Sequence, residues 1–365
     1  TRSSDWFRHG HDGDKVYDSV ILHIVGEADG EVTRTNGEVI PQMIVSCPER
    51  IKMHYYELCV SDCYPACYPI LRSLPKLTVH SWLSALQTER LEQKAKLIGA
   101  RLEHCNNNWE DVFFITLARN YGFGLNGDAF EAWAELLPFR ALDKHRNDLF
   151  QIEALFYGMA GLFEDTFLKE EQKDEYCLRL SKEFHYLQRK FEIFRVMDAT
   201  LWRFLRLRPD NFPHIRLAQL AYLYQKGDKL FSRLLEAETL AEVRILLSTR
   251  TSVYWENHYI FGRTSPQREK LLGEQSKDLI IINTVVPFLY TYGLHKADEG
   301  MCERAGRFLE KLKAENNHII RSWSDAGLPV ASAADSQALI QLQKEYCDKR
   351  KCLYCRFGYE YLRKK

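Results

Sequence analysis

The sequence predicts an α+β protein, predominantly α, in which a small N-terminal antiparallel β unit precedes a large helical domain. Three observations carry this. Val20-Ile21-Leu22-His23-Ile24-Val25 is a β-branched run long enough for a buried strand and too short for a helix. Asp29-Gly30 and Asn36-Gly37 follow at hairpin spacing, and both dipeptides tolerate positive φ. From Thr78 onward the apolar residues recur at helical intervals.

The elements follow in order. After the 20–25 strand, Glu31 to Thr35 and Glu38 to Val45 complete a three-stranded antiparallel meander. A meander this small buries little alone and needs a covering layer. The chain opens on Thr1 rather than Met, so we read it as a fragment or processed chain, with part of that layer expected before Thr1. Pro65, Pro69 and Pro75 mark the change of regime. Trp82, Leu83, Leu86, Leu91, Ala95, Ile98 and Leu102 then keep one apolar stripe, with charged residues opposite. Asn108 caps a helix over 109–120, and Gly122 ends it. Further helices are expected near 128–137, 148–163, 174–191, 195–206, 214–226, 228–237, 239–249, 276–292, 297–318 and 335–346. The division is therefore a β-rich unit over 1–75, a helical domain over 76–343 and a basic, cysteine-containing tail over 344–365.

Composition narrows the function classes. The 365 residues carry 50 Lys+Arg against 50 Asp+Glu, which excludes polyanion binding over the whole surface and leaves room for a local basic groove. No run of about eighteen apolar residues exists for a membrane span. Ten cysteines in a chain too large to need a disulfide framework point to reduced thiols and a cytoplasmic location. Oligomeric state has no signature. No P-loop, dinucleotide glycine pattern, nucleophile elbow or kinase motif set is present.

Three polar clusters remain. Within Asp5 to Asp14, the residues His9, His11 and Asp14 are candidates to ligate Mg²⁺ or Mn²⁺ or to move protons, with His23 on the following strand. A solvated turn is the plain alternative for the loop, and a hydrogen-bonded core histidine for His23. Cys347, Cys352 and Cys355 have the spacing C-x4-C-x2-C, which suits zinc or an iron–sulfur cluster. A fourth ligand would come from Cys67, Cys177, Cys302 or a histidine. Cys59 and Cys63 are read as packing residues. From Arg189 to Arg216 seven basic residues face three acids, interleaved with Phe194, Trp202, Phe204 and Phe212. Arg203, Arg206, Arg208, Asn211 and Arg216, joined by Tyr254 and His258, form the candidate anion or nucleic-acid groove. Interhelix salt bridges are its plain alternative. Glu153 with Gly158 and Gly161, and Asn283-Thr284 inside an apolar helix, read as buried hydrogen-bond networks.

These residues resemble one family. The matching strings are Ser4-Asp5-Trp6 with His9-x-His11-x-x-Asp14-x-x-Tyr17, Val20-Ile21-Leu22-His23-Ile24-Val25, Asn120-Tyr121-Gly122-Phe123-x-x-Asn126, and Arg206-Leu207-Arg208-Pro209-x-Asn211-Phe212-Pro213. Tyr254-Trp255-x-x-His258-Tyr259 and Tyr346-Cys347 with Cys352-Leu353-x-Cys355-x-x-Gly358 continue it. The chain resembles, over nearly its whole length, a bacterial family carried as a domain of unknown function. That resemblance implies a preceding strand pair with Gly-Pro-Asp-Phe and Val-Glu-Ile-His strings, similar to a degenerate PD-(D/E)XK nuclease core that holds Mg²⁺. The function expected from the two together is nucleic-acid binding or a nuclease-related activity. The alternative is a non-enzymatic helical interaction protein whose cysteine tail binds a structural metal.

Overall fold

A computed structural model describes residues 1–227 and 229–364. Helix takes 61% of the residues and strand 5%, so the class is predominantly α with a small β unit. The chain divides into two compact units, one of residues 1–75, 326–328 and 344–365, the other of 76–325 and 329–343.

In the first unit, strand β1 (His23–Val25) pairs with strand β2 (Gln42–Ile44) in parallel, His23 opposite Gln42 and Val25 opposite Ile44. The expected reversal at Asn36-Gly37 is present. Gly37 at φ 80° donates to Arg34, Arg34 and Ile40 donate to Glu38 and Val32, and Thr33 bridges Val39 antiparallel. The continuous antiparallel meander is not. The hairpin arm swings out of the sheet, so the first and third strands, which run the same way in any meander, meet directly. Val32 and Ile40 from that arm pack on Trp6, whose indole N–H donates to the Thr33 carbonyl at 3.1 Å. The stretch after the sheet is helical, α1 (Glu49–Val60), and the C-terminal helix α2 (Arg356–Arg363) packs on it. His54 Nδ1 lies 3.0 Å from the Leu362 carbonyl, and Tyr361 and Lys364 both donate to Glu57.

The second unit is all but entirely helical. Its long helix α3 (Lys76–His104) buries Leu83, Leu86, Leu91, Ile98 and Leu102, the predicted stripe. Asn108 caps α4 (Trp109–Tyr121) by accepting from the Glu110 and Asp111 N–H groups. At the centre, α5 (Leu149–Met159) is buried from Ile152 to Met159 and, Glu153 apart, is apolar over that stretch, as a helix enclosed on every side must be. Gly158 lets α5 press on α6 (Glu175–Lys190): a Cβ there would lie 2.1 Å from the Phe184 ring. Asn283-Thr284 sits in a π-helical turn, Ile281–Val285, where Asn120 donates to the Asn283 carbonyl and the Thr284 hydroxyl. That side chain supplies partners to groups displaced from the regular ladder. Among the described residues no helix is long and apolar enough to cross a membrane.

Candidate functional site

The histidines of the N-terminal unit do come together. The ring centroids of Trp6 and His11 are 5.3 Å apart, Trp6 and His23 5.1 Å, His11 and Tyr17 4.1 Å, and His9 and His11 5.6 Å. His23 Nδ1 is buried without a hydrogen-bond partner. Asp14 takes a different role. Its carboxylate caps the short turn Lys15–Ser19 by accepting from the Val16 N–H at 3.0 Å. Among the described residues no group of three or more His, Cys, Asp or Glu is placed to hold a metal ion. The rings of the cluster pack on one another, and the Asp14 carboxylate beside them is committed to the backbone.

The predicted basic groove separates into an exposed part and an internal part. Trp202 is buried and donates to the Ala160 carbonyl at 2.9 Å. Asn126, only 2% exposed, grips the backbone of Arg203 from both sides, accepting its N–H at 2.8 Å and donating to its carbonyl at 2.9 Å. Phe204 leans on Phe212 and His214. Between these anchors Arg203, Leu205, Arg206 and Arg208 face solvent, Leu205 at 82%. Arg206 holds φ 66°, a left-handed conformation that a residue with a Cβ rarely adopts. Among the described residues none of these three arginines makes an ion pair.

Arg216, Asn211, Tyr254 and His258 are not in that exposed set. Arg216 is buried on α7 (Pro213–Lys226), its guanidinium donating to Gln219 and Asn211 and lying 4.4 Å from the Phe123 ring centroid. Burial lowers its pKa to about 10. The expected salt bridge to an acid is replaced by amides and an aromatic face. Asp210 is paired with Arg268 instead. His258 is buried and stacked on Tyr254 at 4.0 Å, and Tyr254 stacks in turn on Tyr176 at 4.1 Å. Tyr254 donates to Asp174, and Tyr176 donates to Glu153. This stack closes over the one carboxyl of α5. Burial raises Glu153 to about 7, with Tyr176 and Ser252 pulling it down only in part.

The cysteines of the tail share a cavity. Cys347, Cys352 and Cys355 line one cavity of about 300 Å³, and Cys67 and Cys63 line it from the other chain segment. Cys177 and Cys302 belong to the second unit. None of the ten cysteines is in a disulfide. Sequence spacing reveals the trio. It gives no sign of Cys67, because Pro65 and the long intervening chain hide which cysteine returns to the tail. Asn126 ends one of the matching strings, but its role depends on where Arg203 arrives and has no sign in the sequence.

No curated protein and no solved structure matches the chain. Residues 1–318 match the model of DUF2851, described as a protein of unknown function, and the chain belongs to that family.

Proposed function

We propose that this protein binds nucleic acid, with Arg203, Arg206 and Arg208 contacting backbone phosphates and Leu205 lying against a base or sugar. One observation carries the reading: three exposed guanidinium groups, without ion-pair partners among the described residues, stand on a segment whose backbone is pinned by Asn126 and Trp202. Unpaired arginines are costly in no way when solvated, yet they are pre-positioned donors for phosphate oxygens. Anchored backbone reduces the entropy lost on binding. Metal-dependent phosphodiester cleavage is the reaction class that such binding would serve.

The test is fluorescence anisotropy of labelled single- and double-stranded oligonucleotides over a range of salt. Three phosphate contacts give a log–log salt slope of about −2 to −3. The triple variant Arg203→Ala, Arg206→Ala, Arg208→Ala is expected to remove most of that slope. Absence of binding, or binding indifferent to the triple variant, refutes the reading, and plasmid nicking with Mg²⁺ or Mn²⁺ tests the hydrolytic half. A second reading is a non-enzymatic interaction protein, favoured by the internal commitment of Arg216, Asn211, Tyr254 and His258. It requires no salt-dependent nucleic-acid binding at all.

A further inference from the structure

We propose that Cys67, Cys347, Cys352 and Cys355 hold a four-iron, four-sulfur cluster in the cavity that they line. The proposal stands apart from the nucleic-acid reading and concerns the first unit only.

The local backbone explains how three of the thiols reach one place. The helix that carries Cys347 ends in a Schellman arrangement, Lys351 N–H donating to the Tyr346 carbonyl and Arg350 N–H to that of Cys347, with Arg350 at φ 50°. This reversal brings Cys352 back toward Cys347. A single turn, Cys352–Tyr354, then delivers Cys355 as the N-cap residue of α2. Gly358 allows α2 to lie against the Cys352 carbonyl, since a Cβ there would sit 2.1 Å from that oxygen. The fourth thiol comes from far away in sequence. Tyr64 donates to Asp348, 284 positions on, and Arg350 donates to the Cys59 carbonyl, so 59–67 is strapped to the tail. Cys67, 8% exposed, is thereby brought to the cavity wall opposite the trio.

The donor set and the space select the kind of metal. The cavity wall carries five sulfurs, no imidazole and one carboxylate, Asp348, which accepts from Tyr64; a donor set so rich in sulfur suits soft ions, which means zinc or iron–sulfur. A single zinc holds its sulfurs at about 2.3 Å and leaves no void between them. Here the thiols line a cavity of about 300 Å³, which one ion would leave largely unfilled. A polynuclear core fills such a space, and four cysteines are its usual complement. Arg350 lines the same cavity, and the positive end of α2 faces Cys355. Both offset the negative charge of a thiolate-bound cluster.

The experiment is purification of the full chain under anaerobic conditions, with assay of iron, acid-labile sulfide and zinc. About four iron and four sulfide per chain are expected, with broad visible absorbance that bleaches on reduction. Cys67→Ser and Cys355→Ser should each lose at least half of the iron, and Cys63→Ser and Cys177→Ser should keep it. Because a ligand variant could also misfold, the unmutated protein supplies a second readout. In the loaded form Cys67, Cys347, Cys352 and Cys355 resist iodoacetamide while Cys47 and Cys63 react. Protein without iron and sulfide, stoichiometric zinc in their place, or rapid alkylation of the four thiols in the loaded form overturns the proposal.

Discussion

Replacing Glu153 by Gln should change how stability depends on pH, by an amount that the structure sets. Glu153 has no exposed surface on a helix that is apolar on every side, and its Oε1 has no hydrogen-bond partner. Desolvation is the dominant cause of its raised pKa, about 7 against the ordinary 4.5. At 1.36 kcal/mol per tenfold in proton affinity, that difference amounts to roughly 3 kcal/mol. The folded chain binds this proton more tightly than the unfolded chain. The stabilisation is therefore complete below about pH 4.5 and is lost as pH rises through 7. Glu153→Gln keeps the shape and removes the titration. Whatever the amide costs by itself is the same at every pH and cancels from the slope. Urea unfolding at a series of pH values between about 5 and 9 should show the variant gaining roughly 2–3 kcal/mol on the native protein across that window. Parallel stability curves would refute the reasoning, because they would mean that the carboxyl finds water or a partner in the folded state.

Three further substitutions follow from the same packing. Burial lowers His214 to about 3, so it is neutral inside and its contribution is present above pH 6.5 and lost as pH falls toward 3. His214→Phe, among the rings of Tyr157, Phe204, Trp255 and Phe261, should flatten the acid limb of the stability curve by up to roughly 4 kcal/mol, read by urea unfolding at low pH. Gly158→Ala drives a methyl into the Phe184 ring and should cost about 1–3 kcal/mol or more, seen as a lower denaturation midpoint at unchanged slope. Asn126→Ala removes both bonds to the Arg203 backbone and should destabilise by about 1–3 kcal/mol, with weaker oligonucleotide binding at unchanged salt slope, since the phosphate contacts themselves remain.

Features that depend on neighbours in sequence were legible, and those that depend on where distant segments meet were not. The α3 stripe, the Asn108 cap and the Asn36-Gly37 reversal are local, and each has a residue-level cause visible in the chain. Glu153 and Asn283-Thr284 were recognisable as networks because a polar group inside an apolar run must find an answer somewhere. The parallel pairing of β1 and β2 was hidden, since it turns on an arm swinging out to pack Val32 and Ile40 on Trp6. Arg216 looked like its neighbours at 203, 206 and 208. Its difference lies in Phe123, Gln219 and Asn211, which receive a guanidinium only once α7 is seated. The cysteine trio was readable from spacing, whereas its convergence with Cys67 depends on a strap of bonds such as Tyr64 to Asp348.

The two units also differ in what holds them, and this yields a prediction about metal removal. The second unit has a continuous core running from Leu91 to Ala334. In the first, the cluster around the sheet is Trp6, Val32 and Ile40 with Tyr17 and Val20 beside it, while Ile21, Ile24, Met43 and Ile44 remain more than half exposed. So small a core contributes little against the entropy of ordering the chain. The tail adds Phe357 and Tyr361 to Leu58 and Leu71 of the N-terminal segment, but it must first be brought to residues far away in sequence. A cluster ligated by both segments would supply that link, and its binding energy would become folding energy of this unit alone. Stripping the iron from the anaerobic protein should therefore speed amide exchange in α1 and α2 at least tenfold, which corresponds to about 1.4 kcal/mol of lost protection, while α5 keeps its rate. Equal acceleration in α5 would mean that the units share one unfolding transition. No change in α1 or α2 would mean that the apolar contacts of the tail suffice without a metal.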